Sequence, residues 1–307
     1  MNRTDMRKKI LVVAFFALLL QGITENTFAQ QPASHKASET VVEDGGSGPY
    51  KAIMTVEGSL PTHTVFRPKN LDVFNTNNKL PIIVWGNGAC ANSPWEHVNF
   101  LSEVSSYGFL VAAIGTLSED KTDNRKSTSS QLTDAITWAI AQNGDKKSIY
   151  YHKVDVKKIA VSGMSCGGLQ TLEVASDARV TTVVVCNSGI FKTPGNGISN
   201  MPKLTKESLK KIHTPTLYML GGEKDIAYGN GMDDYQQINH VPIFMANMDV
   251  GHGGTYREYH GGEFAKLATS WYNWQLKGDK EAAKVFEGEP AGLSKNPKWR
   301  FEKKKMP

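Results

Sequence analysis

Residues 158–172, KIAVSGMSCGGLQTL, decide how the rest of the chain is read. Ile159 and Val161 alternate with small or polar neighbours, the pattern of a short buried strand. Gly163-Met164-Ser165-Cys166-Gly167 follows, and Gly168 to Leu172 reads as the first turn of a helix. A strand that passes into a helix through G-x-S-x-G must turn so sharply that side chains two residues either side of the serine would collide with its neighbours. Glycine at those positions removes the collision. Ser165 is then held out at the carboxyl edge of a sheet, with the N–H groups of the helix N-terminus beneath it.

Working outward, strands and helices alternate. Strands are expected at residues 79–86, 109–115, 181–189, 215–222 and 241–248, with two more inside 49–68 turning near Gly58 and Pro61. Helical spacing covers 94–108 and 129–143, a short basic helix falls near 205–213, and a helix-length spacer separates the last two strands. A long closing helix is expected over 263–286. The alternation predicts a doubly wound, mostly parallel sheet of about eight strands, helices on both faces, with reactive groups at the carboxyl ends of the strands. Only about 25 residues separate the strand ending at Gly189 from the one starting at Pro215, too few for a large cap domain.

The chain has 307 residues. Arg3, Arg7, Lys8 and Lys9 precede an apolar run from Ile10 to Leu20, then a polar stretch ending Thr27-Phe28-Ala29, the layout of a secretory signal peptide over residues 1–29. The run is too short to span a bilayer, so no membrane anchor is expected, and an exported protein, periplasmic or extracellular, is. Residues 30–48 are polar and aperiodic and read as a disordered lead-in, leaving 49–307 as a single domain. Taking the leader's four basic and two acidic residues from the totals of 35 and 30 leaves 31 against 28, a net charge of +3. Such a balance points to neither nucleic acid nor an anionic surface as partner. Oligomeric state is not legible.

A serine nucleophile needs a base, and the base a carboxylate to orient it; on sheets of this kind they follow in the order Ser, Asp, His. Asp225 stands just past the strand PTLYMLGG, and His252 four residues past VPIFMANM in the glycine-rich DVGHGG. Asp233 and Asp234 fall in a helix and read as solvent-facing or capping residues. His260 is the rival base. His240 and His213 lie at the wrong ends of strands, and His35, His63, His97 and His152 read as surface or packing residues. The two oxyanion donors are expected from the main chain of Cys166 and of Asn87, with Gly88 as the neighbouring possibility. Cys90 and Cys166 belong to the two segments that meet there, either as small buried hydrophobes or as a disulfide; Cys186 reads as a core residue. Three cysteines without C-x-x-C argue against a zinc site, and no metal or cofactor is expected. Expected walls of the site are Gly88, Trp95, Met164, Ile190 and Phe191.

These motifs carry a resemblance. Between about residues 48 and 286, LSEVSSYGFLVAAIGT, VDVKKIAVSGMSCGGLQTL, TPTLYMLGGEKDIAY, VGHGG and WYNWQLKGDKEAAKVF make the chain similar to the α/β-hydrolase superfamily. Within it the chain resembles the dienelactone-hydrolase-like and cutinase-like, or polyester-hydrolase-like, secreted esterases. The resemblance implies Ser165 as nucleophile, Asp225 as acid, His252 as base and Asn87 at the oxyanion position. Where such polyester hydrolases often carry an aromatic residue at the oxyanion position and a tryptophan or histidine before the serine, this chain has Asn87 and Met164. The expected activity is carboxylic-ester hydrolysis through an acyl-enzyme, on a small-molecule or polymer-linked ester. A serine peptidase or acyltransferase on the same triad, or a non-catalytic binding protein of the same fold, are the alternatives.

Overall fold

Neighbouring residues along each central strand go to opposite sides of one sheet, and that alternation divides the core in two. Ile82, Val84, Leu110, Ala112, Val183 and Val185 pack on one side. Ile83, Trp85, Val111, Ala113, Val184 and Cys186 pack on the other. A strand buried on both faces reads as a continuous apolar run, which is why LPIIVWG and TVVVC are so evident in the sequence.

The structure, a computed structural model, describes residues 39–117, 125–193 and 200–306. Its strands are β1 (Ala52–Thr55), β2 (His63–Pro68), β3 (Leu80–Gly86), β4 (Leu110–Ile114), β5 (Val154–Met164), β6 (Thr182–Cys186), β7 (Thr216–Leu220), β8 (Ile243–Met248) and β9 (Trp299–Lys304). The helices are α1 (Val98–Ser106), α2 (Ser130–Gly144), α3 (Cys166–Val174), α4 (Tyr228–Gln237), α5 (Gly262–Lys277) and α6 (Lys280–Ala283). The strands form a nine-stranded sheet in the order β1-β2-β4-β3-β5-β6-β7-β8-β9. From β4 through β8 neighbours are parallel, while β1, β2 and β9 run antiparallel at the edges. Residues of α2, α3 and α4 cover one face and those of α1 and α5 the other, the doubly wound α/β-hydrolase arrangement. In this arrangement β5, β6, β7 and β8 end on the same edge, which brings their following loops together.

Three expectations need correction. The ninth strand was not legible: WRFEKK carries Arg300 and Glu302 outward at a sheet edge, so its apolar signal rests on Trp299 and Phe301 alone. The single helix expected over 263–286 is broken at Gly278, whose φ of 70° ends α5, and Asp279 then caps α6 by accepting the N–H groups of Glu281 and Ala282. The lead-in does not extend to Gly48. Thr40 pairs with Met54, Val42 is buried, and Ser47 donates from its N and Oγ to Glu103 at 2.7 and 2.5 Å. The leader expected over residues 1–29 lies outside the described residues, within which no helix is long and apolar enough to cross a membrane.

Candidate active site

Between β5 and α3 stands one residue, Ser165, at φ 55° and ψ −116°. A non-glycine residue at positive φ is strained and persists only where its surroundings impose it. Here the surroundings are glycines. A Cβ on Gly163 would run into the Gly167 carbonyl, and one on Gly167 would run into the Gly86 carbonyl and come within 2.6 Å of the Asn87 nitrogen. The turn is then fixed by hydrogen bonds from the Ser165 N–H to the Cys186 carbonyl (2.9 Å) and from Ser188 Oγ to the Ser165 carbonyl (2.7 Å).

His252 reaches the serine from the loop after β8. Its Nε2 is 2.9 Å from Ser165 Oγ, and its Nδ1 is 2.6 Å from Asp225 Oδ1. The loops bearing these two residues are stitched together, because Val250 and Gly251 both donate their N–H to the Gly221 carbonyl at 3.1 and 2.8 Å. Asp225 is 3% exposed and nevertheless fully engaged. Besides His252, Ala227 N–H donates to its Oδ1 at 2.9 Å, and Gly221 N–H and Asn187 Nδ2 donate to its Oδ2 at 2.9 and 2.7 Å. Burial pushes the carboxyl pKa up, but the hydrogen bonds from His252, Ala227, Gly221 and Asn187 outweigh it and hold the group below 3.8. With Asp225 ionised, the His252 tautomer with the proton on Nδ1 is favoured, leaving Nε2 free to accept from Ser165. The rival histidine is occupied elsewhere: His260 Nε2 is 2.6 Å from Asp44 Oδ1.

Asn187 was missed in the sequence. It is wholly buried at the end of β6, with φ 44°, and Tyr256 donates to its Oδ1 at 2.5 Å. Tyr256 in turn sits edge-on to Trp85, His97, Phe100 and Phe264. The signal available was an asparagine before Ser-Gly at a strand end, the residue type that best tolerates positive φ there.

The loop after β3 lies across the start of α3. Gly167 donates its N–H to the Asn87 carbonyl at 2.9 Å, and the Asn87 side chain turns inward to donate to the carbonyls of Ile114 (2.7 Å) and Ala91 (3.0 Å). A Cβ on Gly88 would lie 3.9 Å from Ser165 Cβ and 2.8 Å from the Met164 sulfur, so the loop passes close to the serine and a side chain there would displace the end of Met164. A disulfide joins Cys90 to Cys166 with a Cα–Cα distance of 5.1 Å, tying this loop to the residue after the serine; Cys186 stays free and buried.

A family described as PETase, PET hydrolase-like, matches residues 73–285, a span that includes Ser165, Asp225 and His252. The chain belongs to the PET hydrolase-like family. Membership makes it an ester hydrolase of the α/β-hydrolase type. Among curated proteins none matches the chain.

In this PET hydrolase-like chain the cavity at the serine, ≈ 60 Å³, is lined by Ser165, His252, Leu169, Phe191, Met201 and Ile226, among others. Of the five walls expected from sequence, Phe191 lines it, while Gly88, Ile190, Met164 and Trp95 do not. Ile190 is fully buried, its N–H donating to Asp234 Oδ2 at 2.8 Å, so it faces the core. Met164 is buried and belongs to a separate groove with Glu96, His97 and the residues after His252. Trp95, 42% exposed, lines another groove with Val98, Asn99 and Arg257. Alternation along the chain puts adjacent side chains on opposite sides, which a guess from proximity in sequence cannot resolve. Ile226 was the missing wall: it directly follows Asp225 and is 81% exposed. Asp234, expected at the solvent or at a cap, is instead completely buried. Among the described residues, no group of His, Cys, Asp and Glu could hold a metal.

Proposed function

We propose that this chain is an exported serine esterase in which Ser165 is the nucleophile, His252 the general base and acid, and Asp225 the orienting carboxylate. What carries the reading is the unbroken chain from Ser165 Oγ to His252 Nε2 at 2.9 Å and from His252 Nδ1 to Asp225 Oδ1 at 2.6 Å. Ser165 Oγ attacks the ester carbonyl carbon while its proton passes to His252 Nε2. The imidazolium is balanced by Asp225. The resulting oxyanion is held by the main-chain N–H groups of Cys166, at the start of α3, and of Asn87, with Gly88 letting the backbone approach. Collapse breaks the ester C–O bond, and the alcohol leaves with the proton from His252. Water, activated by the same histidine, then hydrolyses the acyl-Ser165 ester and restores the serine.

An acyl group fits the apolar side of the cavity, against Leu169, Phe191, Met201 and Ile226. At ≈ 60 Å³ that cavity suits a short acyl chain better than a long one. The exposure of Ile226 leaves the mouth open to an ester carried on a polymer, in keeping with the family's description. The leader-like pattern of residues 1–29 supports export, and a disulfide at the site suits an oxidising compartment.

Hydrolysis of p-nitrophenyl acetate and butyrate tests the reading. Ser165→Ala should abolish turnover, and His252→Ala should lower kcat by on the order of 10³-fold or more, the residue coming from the oxyanion hole. Activity retained in Ser165→Ala, or lost in His260→Ala instead of His252→Ala, would overturn it.

A further inference from the structure

Three walls of the cavity come from three stretches of chain: the strip after β6 with Phe191, the returning arm with Met201, and the start of α4 with Ala227 and Asn230. All three are tied to one buried carboxylate, Asp234 on α4. The N–H of Ile190, next to Phe191, donates to its Oδ2 at 2.8 Å. Lys206, five residues past Met201 at the start of a short 3-10 helix (Lys206–Lys211), donates from Nζ to its Oδ1 at 2.6 Å and to the Asn230 carbonyl at 3.2 Å. Tyr218 on β7 donates to Oδ2 at 3.2 Å. The strip also lies hard against α4, since a Cβ on Gly189 would collide with Asn230 and Gly231.

A carboxylate removed from water costs several kcal/mol unless it is paired and hydrogen-bonded. A carboxylate at 0% exposure, on a surface helix that could have carried an apolar residue there, is an expensive way to fill space. What it gains is direction: its donors come from three segments, and each is held at hydrogen-bond length. We infer that Asp234, with Lys206, is a positioning pair that sets the separation of Phe191, Met201 and Asn230 and so selects which acyl groups reach Ser165. This rests on the esterase reading and deepens it.

Protonation supplies an independent handle. Burial pushes the Asp234 carboxyl up to about 6, against the pull of Lys206, the Ile190 N–H and Tyr218. The groups facing it are Lys206 and Tyr218, with Asp233 beside it sharing Lys206 at 2.7 Å and Lys192 of the strip acting on Asp233. From β8, whose residues are Ile243–Met248, no titratable side chain reaches it. Acidification through pH 6 therefore weakens the pair and loosens the three walls.

The measurement is the ratio of kcat/KM for p-nitrophenyl butyrate to that for p-nitrophenyl acetate, in the full chain. Changes in the chemical step common to the two esters drop out of the ratio. In the parent the ratio should change on acidification through pH 6, mainly through KM, and in Asp234→Asn it should be flat. Lys206→Met should shift the ratio by about fivefold or more from the parent's, and Lys206→Arg should restore it. Ratios within twofold of the parent in Asp234→Asn and Lys206→Met overturn the inference. Should Asp234→Asn fail to fold, Lys206→Met and Lys206→Arg decide alone, since Lys206 is partly exposed and methionine keeps its apolar stem. A parent inactive on both esters would strike the esterase reading itself, a separate result.

Discussion

Asn187 donates from Nδ2 to Asp225 Oδ2 at 2.7 Å, holding the carboxylate oxygen that His252 leaves free. The carboxylate is thus held by a wholly buried side chain, which is itself held by Tyr256 at 2.5 Å. Hydrogen bonds to charged groups are worth about 1.5–3 kcal/mol, which converts to roughly 10–100-fold in rate.

Asn187→Ala should therefore lower kcat by on the order of 10–100-fold with KM little changed, since the orientation of His252 fails while the acyl pocket stands. Steady-state kinetics on p-nitrophenyl acetate checks this. A KM effect with kcat intact would assign Asn187 to the pocket instead.

Asp225 also sets an acid limit. Its carboxyl pKa is lowered in the folded chain relative to 3.8, so the folded state binds this proton less readily than the unfolded state. The stability it contributes is present in full above pH 3.8 and is lost as pH falls through the folded value. Melting curves from about pH 6 down to about pH 3 should show the parent losing more Tm than Asp225→Asn, which has no such proton to take up. Parallel curves would mean that Asp225 is not held as an anion.

The disulfide closes a long loop, Cys90 and Cys166 being 76 residues apart. Chain-entropy reasoning puts its stabilisation at about 4 kcal/mol. The unfolded, unreduced protein should present one reactive thiol, Cys186, and reduction should shift the urea midpoint down. Three thiols would contradict the pairing.

What could be read in the sequence was whatever a local pattern dictates. The parallel strands are apolar throughout because both faces are covered, and the elbow's glycines are forced by contacts within one turn, so both announce themselves. The proposed triad was read from the order of strand ends, and His252 lies within hydrogen-bond distance of both Ser165 and Asp225. Ile190, Met164 and Trp95 were misplaced because which side of a loop faces the serine depends on long-range packing. Asp234 was misread, and Asn187 overlooked, for the same reason: a polar residue on a helix or at a strand end looks solvent-facing until the segments that bond to it, here those of Ile190, Lys206 and Tyr256, are brought in from elsewhere. The edge strand β9 hid behind its own charges, which suit an unpaired edge.

The central claim, that Ser165 is the activated nucleophile, is tested most directly by incubating the protein with a fluorophosphonate and locating the adduct by peptide mass spectrometry. One phosphonyl group per chain on Ser165, absent from Ser165→Ala and formed far more slowly in His252→Ala, is the expected result. An adduct on another residue, or none on a folded protein, would contradict it.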